Sequence, residues 1–369
     1  MASCRHFEQR VSWAGAYEFE DTVRDIDCVD LAAIEPRRVA PLPLETRVLR
    51  GFERVSGFHA ERRPHWSITE PERNYEVFFV RVMTPQKLNF LSALRGWRKR
   101  CHTAVCWIEE LWLNWLRHKK NLEPLREFDH IFVGTAATPA PLSEIIDRPC
   151  SFLSPAVDTL RFCPFPNPPD RTIDVWAMGR RARATHDRLV EHARQNPKFM
   201  YLYDSVSGTH FYDGAAAHRE LMASLLKRSR YFIADRAKAN EPEQTKGQQV
   251  FGPRFFEGAA AGAILVGEPP ESDLFNQYFD WTDAVVRLPY GSTEIVELLE
   301  ALDRDPERVA RARLANVVNS LRRHDWLYRW EQILQVAGLE PAPAALARRT
   351  ELERRACAIE GDFSSTTTD

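Results

Sequence analysis

Five short apolar runs in the second half of the chain, TIDVWAM, KFMYLY, RYFIA, AILVG and DAVVRL, lack the polar–apolar alternation of a strand with one wet face. A strand that is apolar on both sides has to be covered on both sides. The segments among them, HDRLVEHARQN, AAAHRELMASLLKRS, RFFEGAAA and TEIVELLEAL, read as the helices that cover it, with Leu221, Met222, Leu225 and Leu226 apolar in the second. The pattern specifies a parallel sheet between two helical layers, the doubly wound α/β class. The first half repeats it more loosely in DCVDLAAI, YEVFFVRV, TAVCWI, DHIFVG and CSFLS.

A chain of 369 residues with 44% hydrophobic content exceeds what one core organises and suits two. The break falls in RFCPFPNPPDR, where four prolines between Arg161 and Arg171 can continue neither a helix nor a sheet. We therefore expect one domain over residues 1–165, a second over 171–338, a hinge at Pro164 to Pro169, and a helical or disordered tail over 339–369. Asp325 is expected to cap a helix bearing Trp326, Trp330, Ile333 and Leu334 on one face. In the tail, LARRTELERRACAI reads as a helix and GDFSSTTTD as disordered.

Composition excludes several classes. A net charge of −2 supplies no basic field for nucleic acid. The seven cysteines form no C-x-x-C pair and no zinc spacing, so they read as reduced core residues. MASCRHFEQR has no apolar signal core, and no window approaches the roughly 18 apolar residues of a membrane span. A soluble, cytoplasmic protein is expected.

Ligands of an open parallel sheet bind beyond the carboxyl ends of its strands, which selects three loops. GRRARATH follows TIDVWAM, with Gly179 for a tight turn and Arg180 or Arg181 as a cation for phosphate. DSVSGTH follows KFMYLY and ends in His210. DRAKANEPEQTKGQQVFGPR follows RYFIA, contains Lys246, Gly252 and Arg254, and leads into the helix carrying Glu257. A carboxylate there would accept two ribose hydroxyls while amides near Gly252 take phosphate or sugar oxygens. A Glu in a first turn also serves simply to offset the helix dipole, and GAAAGA also suits close helix-on-strand packing.

In the first half, CWIEELWLNWLRHKK is expected to end a strand near Ile108 and continue as a buried helix. Glu109 and Glu110 then stand at the cleft edge as a general base or as acceptors of sugar hydroxyls, or are ordinary first-turn acids. Trp112 and Trp115 read as core. Arg95, Arg98, Lys99 and Arg100, with Arg117, Lys119 and Lys120, read as a solvated helix end or as a face for peripheral membrane contact and an anionic acceptor. Asp25-Ile26-Asp27 and Asp303-Arg304-Asp305 lie at no strand's carboxyl end, so no metal site is expected.

Taken in order, PAVDTLRFCPFP, IDVWAMGRR, SRYFIADRAK, FGPRFFEGAAAGAILVGE and HDWLYRWEQIL resemble the group-1 glycosyltransferases of the GT-B fold, nearest the bacterial spore-coat-maturation-like branch. The likeness runs from about Leu153 to Gly338. Pro155, Val157, Asp158, Phe162 and Pro164 match the segment before the family's linker, with Ala156 for its glycine. The resemblance implies two Rossmann-like domains facing across a cleft, with a C-terminal helix crossing back to the first. It implies a nucleotide-diphosphate-sugar donor on the second domain and a sugar, lipid-linked or small-molecule acceptor on the first. No metal and no cofactor beyond that substrate are implied. The reaction would serve glycan, glycolipid or surface polysaccharide synthesis, in the cytoplasm or at the inner membrane face. Glu257 matches the ribose carboxylate, and Arg180 the phosphate-binding arginine. Thr185 stands where the family has a lysine, with Arg181, Arg183 or His186 to compensate. Gln249 replaces the glutamate that contacts the donor sugar, which leaves two other functions open: a non-catalytic sugar-nucleotide binder and a nucleotide-sugar 2-epimerase.

Overall fold

The computed structural model describes residues 1–35, 66–205 and 214–366. One sheet holds β1 Ala2–Ser3, β2 Ala32–Ala33, β3 Tyr75–Val82, β4 Cys101–Ile108, β5 His130–Val133 and β6 Cys150–Phe152, in the order β2-β1-β3-β4-β5-β6. The other holds β7 Ile173–Ala177, β8 Tyr201–Tyr203, β9 Ser229–Ile233, β10 Ile264–Gly267 and β11 Val286–Arg287, in the order β11-β10-β9-β7-β8. Every strand pair in both sheets is parallel. Strand order reverses between β1 and β3 and again between β7 and β9, the places where a doubly wound sheet opens a crevice at its carboxyl edge.

The principal helices are α1 Ala14–Ile26, α2 Pro139–Ile146, α3 Arg183–Gln195, α4 Ala215–Lys227, α5 Pro253–Ala260, α6 Ile295–Asp303, α7 Pro306–Arg323, α8 Trp326–Ala337 and α9 Pro343–Thr366. In α5, a Cβ on Gly258 would stand 2.4 Å from Leu265 Cδ2 and 2.8 Å from Phe232 Cδ1. The small residues after Glu257 therefore let α5 lie directly on β9 and β10.

The last two helices return to the first domain. Trp326, Trp330, Ile333 and Leu334 of α8, with Ala345, Leu352, Ala356 and Ile359 of α9, share one apolar cluster with Phe19 of α1 and with Phe79, Val105, Trp107 and Phe132 of the first sheet. Each large side chain buried there contributes ~1.5–3 kcal/mol, against ~0–1 for a largely solvated ion pair such as Arg322–Glu353, so burial holds the crossing. Asp325 caps α8 as expected, accepting from the Leu327 amide at 3.0 Å. It also accepts from the Thr159 amide and hydroxyl, and from Arg348 of α9, whose guanidinium reaches Asp158 as well. One buried carboxylate thus fastens the approach to the linker, α8 and α9 together.

Four expectations are corrected. CWIEELWLNWLRHKK forms no α-helix: β4 ends at Ile108, and three 3-10 turns follow, Leu113–Trp115, Lys119–Asn121 and Glu123–Glu127. The groups a helix would pair internally are taken from outside it. The Glu109 and Glu110 amides bond to Val82 and Met83, the Leu111 carbonyl accepts from Thr135 and Thr138, and the Leu113 amide donates to Gln248 across the domain seam. DCVDLAAI yields only the two residues of β2. The basic run is no end of a regular helix: Trp97–Arg100 is one 3-10 turn, and Arg98 grips Asp129 at 2.7 and 2.9 Å. Finally, α9 continues through GDFSST to Thr366.

Candidate active site

The carboxyl edges of the two sheets face each other across a cleft of about 330 Å³. Both reversal points open into it. From the first domain come Gly15 at the start of α1, Arg81 and Met83 at the end of β3, Glu109, Glu110 and Trp112 after β4, and Gly134 after β5. From the second come Arg180 after β7, Asp235 to Asn240 after β9, Gly252 and Arg254 at the start of α5, and Glu257, which falls in the second turn of that helix and not in the first as expected.

The first-domain wall is acidic and aromatic. Arg81 is buried among Trp107, Trp326 and Phe19, its guanidinium carbon 4.1, 4.8 and 5.4 Å from their ring centres, and its Nε donates to Glu109 Oε1 at 2.8 Å. Burial pushes the Glu109 carboxyl above its ordinary value; Arg81 opposes the shift and Glu110 adds to it. Glu110 reaches across the cleft to Lys238 Nζ at 2.9 Å. That lysine, in a left-handed backbone conformation at φ 55°, also lies over Trp112 and Trp115.

The second-domain wall is cationic. Arg254 lines the cleft, and its guanidinium makes no hydrogen bond or ion pair among the described residues. Gly179, at φ +71°, gives it room: a Cβ there would stand 2.7 Å from Arg254 Nη2. Burial pushes Arg254 below its ordinary value, opposed by Asp235 and Glu257. Arg180 is exposed and holds Glu241 at 3.0 Å. Gly252 is the N-cap of α5, and because Pro253 has no N–H, the unpaired amides of that helix begin at Arg254.

Glu257 lines the cleft but already has a protein partner, since its Oε1 accepts from Arg219 Nη1. The same guanidinium makes a two-point contact with Glu18 of α1, Nε to Oε1 and Nη2 to Oε2, both at 3.0 Å. Glu18 further accepts from Arg161, the Trp326 indole and the Asp158 amide. Burial alone would raise the Glu18 carboxyl; the charge and hydrogen bonds of Arg219, with Trp326 and Arg161, outweigh it and hold the group below its ordinary value.

Three candidates are not brought to the cleft. Lys246 is 58% exposed and pairs with Glu243. Arg181 turns back to the Asp204 and Gly179 carbonyls and to the Tyr203 ring, beside a small pocket lined by Thr185 and His186. Gln249 accepts from the Glu271 amide at 2.7 Å and lines a neighbouring cavity of about 260 Å³ with Phe152 and Ser272. His210 lies outside the described residues. Arg219, Glu18 and Lys238 are the functional candidates that sequence reasoning missed. The signal for Arg219 was its place on the apolar face of α4 with Met222, Ala223 and Leu226.

The two-sheet fold has counterparts among known proteins. Residues 180–335 match the glycosyl transferase-like family model. HepE of Anabaena, solved in complex with UDP and glucose, superimposes over 89% of this chain and 94% of its own at 10% identity, with a TM-score of 0.50. The fold is GT-B. A glycosyltransferase from Rickettsia africae aligns over 84% of each chain at 8% identity, with a TM-score of 0.46. TarM aligns over 71% of this chain at 10% identity with a TM-score of 0.44, and this chain spans 54% of TarM's length. No curated protein matches the chain.

Proposed function

We propose that this chain is a nucleotide-sugar-dependent glycosyltransferase of the group-1, spore-coat-like branch, binding its donor on the second domain and its acceptor on the first. The observation that carries the reading is the division of charge across one cleft. Arg254, lacking a partner among the described residues, stands at the amino end of α5, and the ionisable Glu109 stands opposite. Arg254, Arg180 and the first amides of α5 neutralise the diphosphate and the charge that grows on it as the sugar leaves. Glu257 takes the ribose hydroxyls. Glu109 accepts the proton of the acceptor hydroxyl as its oxygen bonds to the anomeric carbon and the bond from that carbon to the diphosphate breaks.

These cations do the work of a metal, and transfer proceeds without one. The carboxylates of the Asp303-Arg304-Asp305 string are engaged elsewhere. Asp303 accepts from Arg230 and the Tyr231 hydroxyl near the amino end of β9, and Asp305 caps α7 through the Arg308 amide at 3.0 Å. The acceptor is a sugar or lipid-linked sugar of a surface glycan, met in the cytoplasm or at the inner membrane face. No helix among the described residues is long and apolar enough to cross a membrane.

A second reading, a sugar-nucleotide binder without turnover, is favoured by Gln249, an amide in the place of an acid and turned to the neighbouring cavity. A panel of nucleotide sugars, beginning with the UDP-sugars that HepE's ligands suggest, separates the two when free nucleotide is measured with and without chelator. Acceptor-dependent release that survives chelation is expected. Tight binding with no release would establish the binder, and an isomerised donor the epimerase.

A further inference from the structure

The donor-side carboxylate and the domain seam share one guanidinium. Glu18, Arg219 and Glu257 have side-chain exposures of 1, 3 and 5%, so the three form a buried acid–base–acid line running from α1 of the first domain to α5 of the second. Buried ionic triads are poor stabilisers, because desolvation offsets most of their attraction. The contacts here are unequal. Glu18 takes Nε and Nη2 of Arg219 with both of its oxygens, leaving Glu257 only Nη1, which also donates to Met222 Sδ at 3.3 Å. The second oxygen of Glu257 has no partner among the described residues, and the residue lines the cleft.

We propose that Arg219 is a positioning residue that links closure of the two domains to recognition of the donor's ribose. By occupying two guanidinium nitrogens, Glu18 keeps Arg219 from closing a two-point fork on Glu257, so one carboxylate oxygen stays available to the ribose diol. When the domains part, Glu18 leaves, Arg219 belongs to Glu257 alone, and the ribose has to compete with it. Ribose binding and closure therefore favour each other by the same factor. The inference rests on the assignment of Glu257 to the ribose.

Calorimetry tests it with the four common ribonucleoside diphosphates and the 2′,3′-dideoxy counterpart of whichever binds best. Wild-type protein is expected to prefer the ribonucleotide. Glu18→Gln is expected to lower that ribo-to-dideoxy ratio roughly fivefold or more, the scale of a typical coupling between sites. Trp326→Phe removes the indole donor to Glu18 together with part of the ring packing on Arg81 and Phe19, and a smaller fall in the same direction is expected; it keeps the test available if Glu18→Gln does not fold. A ratio unchanged while both affinities fall together would make the triad merely structural and sink the coupling, leaving the donor site standing. Absence of any ribose preference in wild-type protein, or of any binding, would remove the assignment of Glu257 and the coupling with it.

Discussion

The two walls of the cleft are built on the same backbone plan and carry opposite chemistry. Each is the carboxyl edge of a parallel sheet whose strand order reverses beside its first strand, β1 in one domain and β7 in the other. On the second-domain wall that edge presents Arg180 and Arg254. On the first-domain wall it presents Glu109 and Glu110, and the one cation rising from that sheet, Arg81, is spent on Glu109 and on a cage of aromatic rings. Topology thus fixes where a ligand sits, and a few side chains decide which ligand it is. On the proposed reading, the cationic wall takes the anionic donor and the acidic wall takes the hydroxyl that loses its proton.

The sharpest way to break the contrast is at Glu109. Glu109→Gln is expected to lower turnover roughly 10²–10⁴-fold, the scale of a lost general base, with donor affinity unchanged. A base must be ionised to act, and burial holds this carboxyl above the ordinary value of 4.5. The rise of rate with pH in wild-type protein should therefore fall above the ordinary glutamate value and vanish in the variant. An unaltered pH–rate profile would deny the first wall its chemistry. A smaller effect is expected on the other wall. Arg254→Ala should weaken nucleoside diphosphate by ~1.5–3 kcal/mol and leave the bare nucleoside nearly untouched, as befits a charged hydrogen-bond donor aimed at phosphate. Equal losses for both ligands by calorimetry would move the diphosphate elsewhere. The least effect belongs to Lys246→Ala, which should change neither nucleotide affinity nor melting temperature, because its ammonium stands in solvent beside Glu243. A clear loss of diphosphate affinity there would mean that the loop after β9 folds over the ligand.

How far this was legible from sequence differs between the same two halves. Strands β7 to β10 and helix α5 follow from apolar runs whose partners are close in the chain. The first domain was harder to read because β1 and β2 have two residues each and because the face of its sheet is covered by α8 and α9, from the far end of the chain. The helix expected after Ile108 failed for a related reason, since Thr135, Thr138 and Gln248, none of them nearby in sequence, take the backbone groups it needed. Among the site residues, Lys246 was chosen for its place beside glycines, while Lys238, three residues past Asp235, is the lysine that β9 delivers to the cleft. Glu18 and Arg219 show what the reading overlooked. A charge among the apolar positions of an amphipathic helix has to meet an opposite charge from another element, and these two meet each other.

The route of the last helices has a consequence for how the protein is made. A ribosome finishes the first sheet at β6, yet Trp326, Trp330, Leu352 and Ala356, which cover one face of that sheet, emerge only after the whole second domain. At synthesis rates of roughly 5–20 residues per second, Phe79, Val105 and Trp107 wait on the order of ten to fifty seconds for their cover. The second domain's own apolar clusters draw chiefly on residues already synthesised by α7, so it is able to condense first, against the usual amino-to-carboxyl order. The nascent first domain is therefore the part of this chain that a chaperone has reason to hold until Ala345, Leu352, Ala356 and Ile359 of α9 complete its apolar cluster.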